Sequence, residues 1–198
     1  MDQRRKELPP LVRCLTFLFW LTIATSVISL LANEMFFPEY RVQLVFLSAI
    51  SMFAYSLVLL ALSKICDGYR IAGVCGLVFT ALDLIADLNE GIELVWIFLL
   101  AAAIFGFFME YQEYLAHADA VEEYDSAVAE QWRSLWLWKL WVTIASIASV
   151  FLALFTQFLA AMVLFAATIA GIIISVIHMV YLYRTARVCR NYLSASEG

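Results

Sequence analysis

Acidic side chains near the middle of the chain are spaced as a cation-handling group could be. Asp83 and Asp87 stand at positions i and i+4, which share one face of a helix, and Glu90 and Glu93 follow them. Asp83 lies within an apolar stretch, where a carboxylate is costly and usually faces a water-filled cavity, a partner or an ion path. We expect an acidic entrance that concentrates cations or relays protons, with Asp83 deepest. The alternative is that the helix ends earlier and the acids are solvated.

A second group combines carboxylates with an imidazole. Glu110, Glu113 and His117 fall on one side of a predicted helix, and these residue types can bind metal ions. Three candidates on one helix do not close a site, because di-iron bundles take Glu-x-x-His pairs from two different helices. We therefore expect a solvated charged face with a Glu113–His117 pair, keep metal binding as the weaker reading, and predict no cofactor.

His178 is the other histidine, and it stands in the last apolar run of the chain. A histidine at such a depth can relay protons. The alternative, which we favour, is a structural histidine that bonds a neighbouring helix or lies near the membrane interface beside Tyr181 and Tyr183.

The chain has no GxSxG, HExxH or phosphate-binding loop motif. We do not expect an enzyme.

The elements that must position these residues are membrane-spanning helices. The chain is 65% apolar and only 15% charged, whereas globular domains have about 25% charged residues. The run 140–183 lacks acidic and basic residues and would extend about 66 Å as a helix, enough for two crossings that fold back at Thr156 and Gln157. No stretch alternates as barrel strands do. The sequence predicts an all-α integral membrane protein with six transmembrane helices at 11–32, 42–62, 71–86, 92–109, 135–156 and 159–183.

Basic residues predict the orientation of these helices. Lys and Arg are retained on the cytoplasmic side, and all but Arg41 fall before helix 1, between helices 2 and 3, before helix 5 or after helix 6. Both termini are therefore expected in the cytoplasm, with the protein in the plasma (inner) membrane. The four cysteines lie near the same side, where thiols stay reduced, so no disulfide is expected.

Two stretches of the first helical hairpin recur in the last one. WLTIAT at 20–25 matches WVTIAS at 141–146, and KICDGY at 64–69 matches RVCRNY at 187–192. The simplest account is a parallel repeat of helices 1–2 and 5–6 with helices 3–4 inserted, a relation found in some transporters. The matched Gly68 and Asn191 are residue types that close helices in the left-handed conformation. The alternative is chance similarity between apolar segments.

Most of the remaining polar residues lie in the segment 110–133. Its apolar residues recur every three or four positions, which predicts a cytoplasmic amphipathic helix with an acidic face. Anionic lipid headgroups would repel that face, so a protein partner, a cation or the basic chain ends are better counterparts. The residues that we expect to dock a partner are Glu122, Glu123, Asp125 and Glu130. The tryptophans at 132, 136, 138 and 141 are expected to anchor helix 5 at headgroup level.

Together these features favour a small membrane channel or transporter for a cation, proton or small solute, built as a helix bundle or a homo-oligomer. The alternative is a non-catalytic scaffold or accessory subunit that docks a cytoplasmic protein through its acidic segment. Besides the lipid bilayer, these are the expected partners, and nucleic acid is not among them.

Overall fold

The structure, a computed structural model, describes residues 2–31, 38–89, 91 and 93–197. All regular structure within these ranges is helical. Its six long helices are α1 (Asp2–Leu31), α2 (Arg41–Ala61), α3 (Asp67–Leu88), α4 (Val95–Val121), α5 (Ser126–Leu152) and α6 (Gln157–Glu197). Short 3-10 turns occupy Pro38–Tyr40 and Leu62–Lys64.

Each of the six helices is long and apolar enough to cross a membrane, which confirms that part of the sequence prediction. α5 ends at Leu152 and α6 begins at Gln157, so the chain reverses within the long apolar run. α1 is longer than predicted, and its helix includes Pro9 and Pro10.

The helices form a closed ring. Each packs against its neighbours in the chain, and α1 packs at least as extensively against α6 as against α2. Large apolar side chains cover much of the exposed surface; Phe155 and Phe158 of the α5–α6 reversal are exposed to 84% and 79%. The ring therefore presents apolar residues outwards and leaves an interior that all six helices can line.

Small residues bring α2 and α3 close together. A Cβ atom at Gly73 would lie 2.9 Å from the backbone oxygen of Ser56, and one at Gly76 would lie 2.4 Å from the Ser56 hydroxyl. A side chain at Gly73 would meet the backbone of α2, and one at Gly76 would meet the Ser56 side chain, so close packing favours glycine at both positions.

The segment 110–133 is not one helix, contrary to the sequence prediction. α4 ends at Val121, the chain turns at 122–124, and α5 begins at Ser126. Asp125 caps α5, because its side chain accepts hydrogen bonds from the backbone N–H groups of Ala127 (3.0 Å) and Val128 (3.1 Å). The apolar periodicity of the segment instead belongs to two helices whose apolar residues face the bundle core.

Two further expectations are wrong. Gly68 lies in the first turn of α3 and Asn191 lies within α6, and no described residue has a positive φ, so neither closes a helix in the left-handed conformation.

Trp132 and Trp136 are buried among the helices, whereas Trp138 and Trp141 are each 65% exposed. Only the latter pair can reach a membrane interface.

Candidate functional site

A cavity of about 550 Å³ with both polar and apolar walls lies inside the helical ring, and residues from all six helices line it. Along α4 the lining runs from Ala103 to Tyr114, about 16 Å at 1.5 Å per residue. The hydroxyl side chains of the lining include Thr22, Thr25, Ser26, Ser48, Thr143 and Ser175, and its charged or titratable side chains include Tyr55, Asp83, Glu110, Glu113, Lys139 and His178.

Asp83, which we expected to lie deepest in the acidic entrance, lines this cavity. Asp87 lies one turn further along α3 and lines a smaller adjoining pocket together with Asp83 and Ser48. Glu93 is exposed in the turn before α4. Glu90 lies outside the described residues.

Glu110 and Glu113, although close in sequence, have different partners. The Glu110 carboxylate lies 3.0 Å from Nζ of Lys139 on α5, which is a direct ion pair at the wall of the cavity. Lys139 was predicted to belong to the cytoplasmic basic residues that precede helix 5. In the structure Lys139 is 25% exposed and lies with Glu110 on the wall of the cavity.

Glu113 belongs to a buried cluster with both histidines of the chain. It is 3% exposed and His117 is fully buried, so the expected solvated face at these two residues is wrong. Nε2 of His117 lies 3.4 Å from Oε1 of Glu113, and Nε2 of His178 lies 3.6 Å from the same oxygen. The structure therefore brings together Glu113, His117 and His178, and leaves Glu110 outside the group.

Two tyrosines hold the cluster from the side of α2 and α3. The Tyr55 hydroxyl donates a hydrogen bond to Oε1 of Glu113. The Tyr69 hydroxyl lies 2.8 Å from Nδ1 of His117, within hydrogen-bonding distance. These contacts fix the carboxylate and one face of the imidazole, so neither side chain can rotate freely.

Aromatic rings enclose the histidines. The Tyr114 ring stacks on His178 with centroids 5.2 Å apart, and the Trp132 ring lies 4.6 Å from that of His117. Trp132 is held in turn by a 2.9 Å hydrogen bond from its Nε1 to the hydroxyl of Thr185, and both residues are fully buried. The cluster is thus largely buried among aromatic rings, and Glu113 and His178 also line the cavity.

The local sequence explains half of this arrangement. Glu113 and His117 stand at i and i+4 of α4, on one helix face, as the sequence predicts. His178 comes from α6, on the far side of α5 in the chain, and its position follows only from the tertiary packing. Sequence reasoning also missed Tyr55 and Tyr69. The feature that could have indicated them is a tyrosine hydroxyl within an otherwise apolar helix, because such a group needs a hydrogen-bond partner.

The predicted docking residues have contacts within the chain. Nη2 of Arg133 lies 2.8 Å from Glu122, and its guanidinium also lies 3.9 Å from Glu130. Asp125 is used as the cap of α5. Glu123 is exposed and lines a pocket of about 200 Å³ beside Asp119. Part of the acidic charge is therefore balanced by Arg133.

Comparison with protein-family models, with curated proteins and with solved structures finds no match for this chain.

Proposed function

We propose that this chain is an integral membrane protein whose six-helix ring works as a small channel or transporter for a cation, proton or small solute. The cavity carries the proposal: it lies inside the ring, all six helices line it, and it contains carboxylates and hydroxyl groups. Such polar interiors among apolar helices are typical of solute and ion pathways.

The outer surface supports insertion into a bilayer. Water-soluble monomers rarely expose contiguous apolar patches of more than a few hundred Å². Here large apolar side chains are exposed on every long helix, including Trp20 on α1, Ile50 on α2 and Phe165 on α6. Lipid is the natural solvent for this surface.

The same proposal includes the orientation and the assembly. An even number of membrane crossings would leave both chain ends on one side, and the basic residues favour the cytoplasm of the plasma (inner) membrane for that side. The parallel repeat of α1–α2 and α5–α6, and a homo-oligomer, belong to the proposal on the sequence grounds given above.

The charges of the cavity favour a cation. Asp83, Glu110 and Glu113 line it, and Lys139 directly balances only Glu110. A cleft whose charges are mainly negative, with low-dielectric walls, raises the local concentration of cations. Hydroxyl oxygens, such as those of Thr25 and Ser48, can replace part of the water around an entering ion.

The test is the flux of protons and monovalent cations through liposomes that contain the purified protein. We expect Asp83→Asn to reduce this flux, and Asp83→Asn with Asp87→Asn to reduce it further. The matched control is Asp67→Asn, which makes the same charge change on the same helix at a side chain that is 85% exposed. Equal flux in wild type, Asp83→Asn and the double variant would refute the assigned pathway.

The alternative is a scaffold or accessory subunit. One observation favours it: Glu122, Glu123 and Glu130 are exposed around the turn between α4 and α5. If this role is correct, replacing these three residues with Gln should abolish co-purification of a partner from native membranes. Unchanged co-purification, with loss of cation flux in Asp83→Asn, would support the channel instead.

A further inference from the structure

The geometry points to a metal site: we propose that Oε1 of Glu113 and the Nε2 atoms of His117 and His178 bind one first-row transition-metal dication, with Zn²⁺ the best fit. The three ligand atoms come from α4 and α6 and all lie within 4.8 Å of one another.

The two distances from the histidine nitrogens to Glu113 fit a zinc ion. Two ligand atoms bound at about 2.0–2.1 Å to a tetrahedral Zn²⁺ are about 3.4 Å apart. The two nitrogen-to-oxygen distances here are 3.4 Å and 3.6 Å, which are long for direct N–H···O hydrogen bonds. An ion between the three atoms accounts for a separation that a hydrogen bond does not.

The histidine nitrogens provide an independent observation. Nε2 of His117 and Nε2 of His178 are both buried, and neither has a hydrogen-bond partner among the described residues. Buried polar atoms almost always have a partner, so two such atoms aimed at one carboxylate need an explanation. A dication bound by both nitrogens provides that partner and also balances the buried charge of Glu113.

The surrounding residues have the form of a second coordination shell. A metal-binding histidine usually donates its other ring N–H to a fixed acceptor, and the ligating carboxylate is hydrogen-bonded as well. The Tyr69 hydroxyl is placed to accept from Nδ1–H of His117, which leaves Nε2 for the metal. The Tyr55 hydroxyl donates to the Glu113 oxygen.

The ligand types select the class of ion. Two imidazoles with one carboxylate suit Zn²⁺, Co²⁺ or Ni²⁺, whereas Mg²⁺ and Ca²⁺ prefer sites made of oxygen atoms alone. Three protein ligands leave one tetrahedral position for water or another small ligand. Glu113 and His178 line the polar cavity, so that position can be reached from it.

The experiment is a titration with Co²⁺, whose visible absorption reports tetrahedral coordination by nitrogen and oxygen. The purified full-length chain, in detergent and with a tag free of histidine, is first stripped with a chelator. We expect about one Co²⁺ per chain, displaced by Zn²⁺. Glu113→Gln and His178→Gln should each abolish the absorption. Glu110→Gln, one turn away on α4, should retain it.

Tyr69→Phe provides a test that keeps all three ligands. It removes only the outer hydrogen bond, and loss of such a bond typically lowers metal affinity about 10–100-fold. Gel filtration and thermal unfolding of each variant show whether it folds; if a ligand variant does not, Tyr69→Phe and the remaining ligand variants decide. Wild-type protein that gives no tetrahedral Co²⁺ spectrum, or ligand variants that titrate like wild type, would overturn the proposal. Because the readout is binding, it is independent of whether the liposomes conduct ions.

Discussion

Nε2 of His178 on α6 lies 3.6 Å from Oε1 of Glu113 on α4, although α5 separates these helices in the chain. This contact crosses the ring rather than following its circumference. It places the Glu113 carboxylate and the His178 imidazole on the wall of a cavity that Asp83 also lines, while His117 lies buried beside Glu113. The proposed metal site and the proposed ion path therefore share one interior.

The charge of Lys139 should limit cation selectivity. Lys139→Gln removes the positive charge from the cavity wall and leaves Glu110 without its ion-pair partner, so the interior becomes more negative. We expect the permeability ratio of K⁺ to Cl⁻ to rise, measured as the reversal potential across a KCl gradient. Lys64→Gln, at an exposed residue after α2, is the control. A reversal potential that does not change in Lys139→Gln would contradict a path past this residue.

A side chain at Gly73 should destabilise the packing of α2 against α3. In Gly73→Ala the new methyl group meets the backbone oxygen of Ser56 at 2.9 Å, and the helices must move apart. Overpacking of this kind costs about 1–3 kcal/mol, so the thermal unfolding temperature in detergent should fall. Gly171→Ala is the matched control, because no described atom lies within 4 Å of its Cβ position. Equal unfolding temperatures for the two variants would show that the helices are not so close.

The hydrogen bond between Trp132 and Thr185 should contribute measurably to stability. Thr185→Val leaves a buried indole N–H without an acceptor, and indole nitrogen can only donate. An unsatisfied buried donor costs about 1–3 kcal/mol of unfolding free energy. Thr168→Val, on an exposed face of the same helix, should have little effect. If both substitutions lower the unfolding free energy equally, the bond is not important in the membrane-protein core.

Hydropathy was sufficient to predict the six helices, because charged residues are largely absent from stretches long enough to cross a membrane. It also indicated Asp83, since an acid in an apolar helix must face something polar. The pairing of Glu113 with His117 follows from helix geometry alone. The contact between α4 and α6 could not be predicted in any of these ways.

The missed features depend on that packing. Trp132 and Trp138 have the same side chain on one helix, yet the first is fully buried and the second is 65% exposed. Which tryptophan turns inwards depends on where the neighbouring helices lie around α5, which no local pattern records. For the same reason His178 was not connected with Glu113.

The central claim is that water and cations reach the cavity inside the ring while the protein is in a membrane. The most direct measurement is the reaction of a positively charged thiol reagent with Ser48→Cys in proteoliposomes, in a variant whose four native cysteines are replaced by alanine. Ser48 lines the cavity beside Asp83, whereas Ile50, on the other side of α2, is 63% exposed on the apolar surface.

Charged reagents do not enter hydrocarbon, so only a thiol in contact with water should react. We predict rapid modification of Ser48→Cys, with loss of cation flux as positive charge is added beside Asp83, and little modification of Ile50→Cys. Failure of Ser48→Cys to react, or faster reaction of Ile50→Cys, would contradict a water-accessible cavity in a lipid-embedded ring.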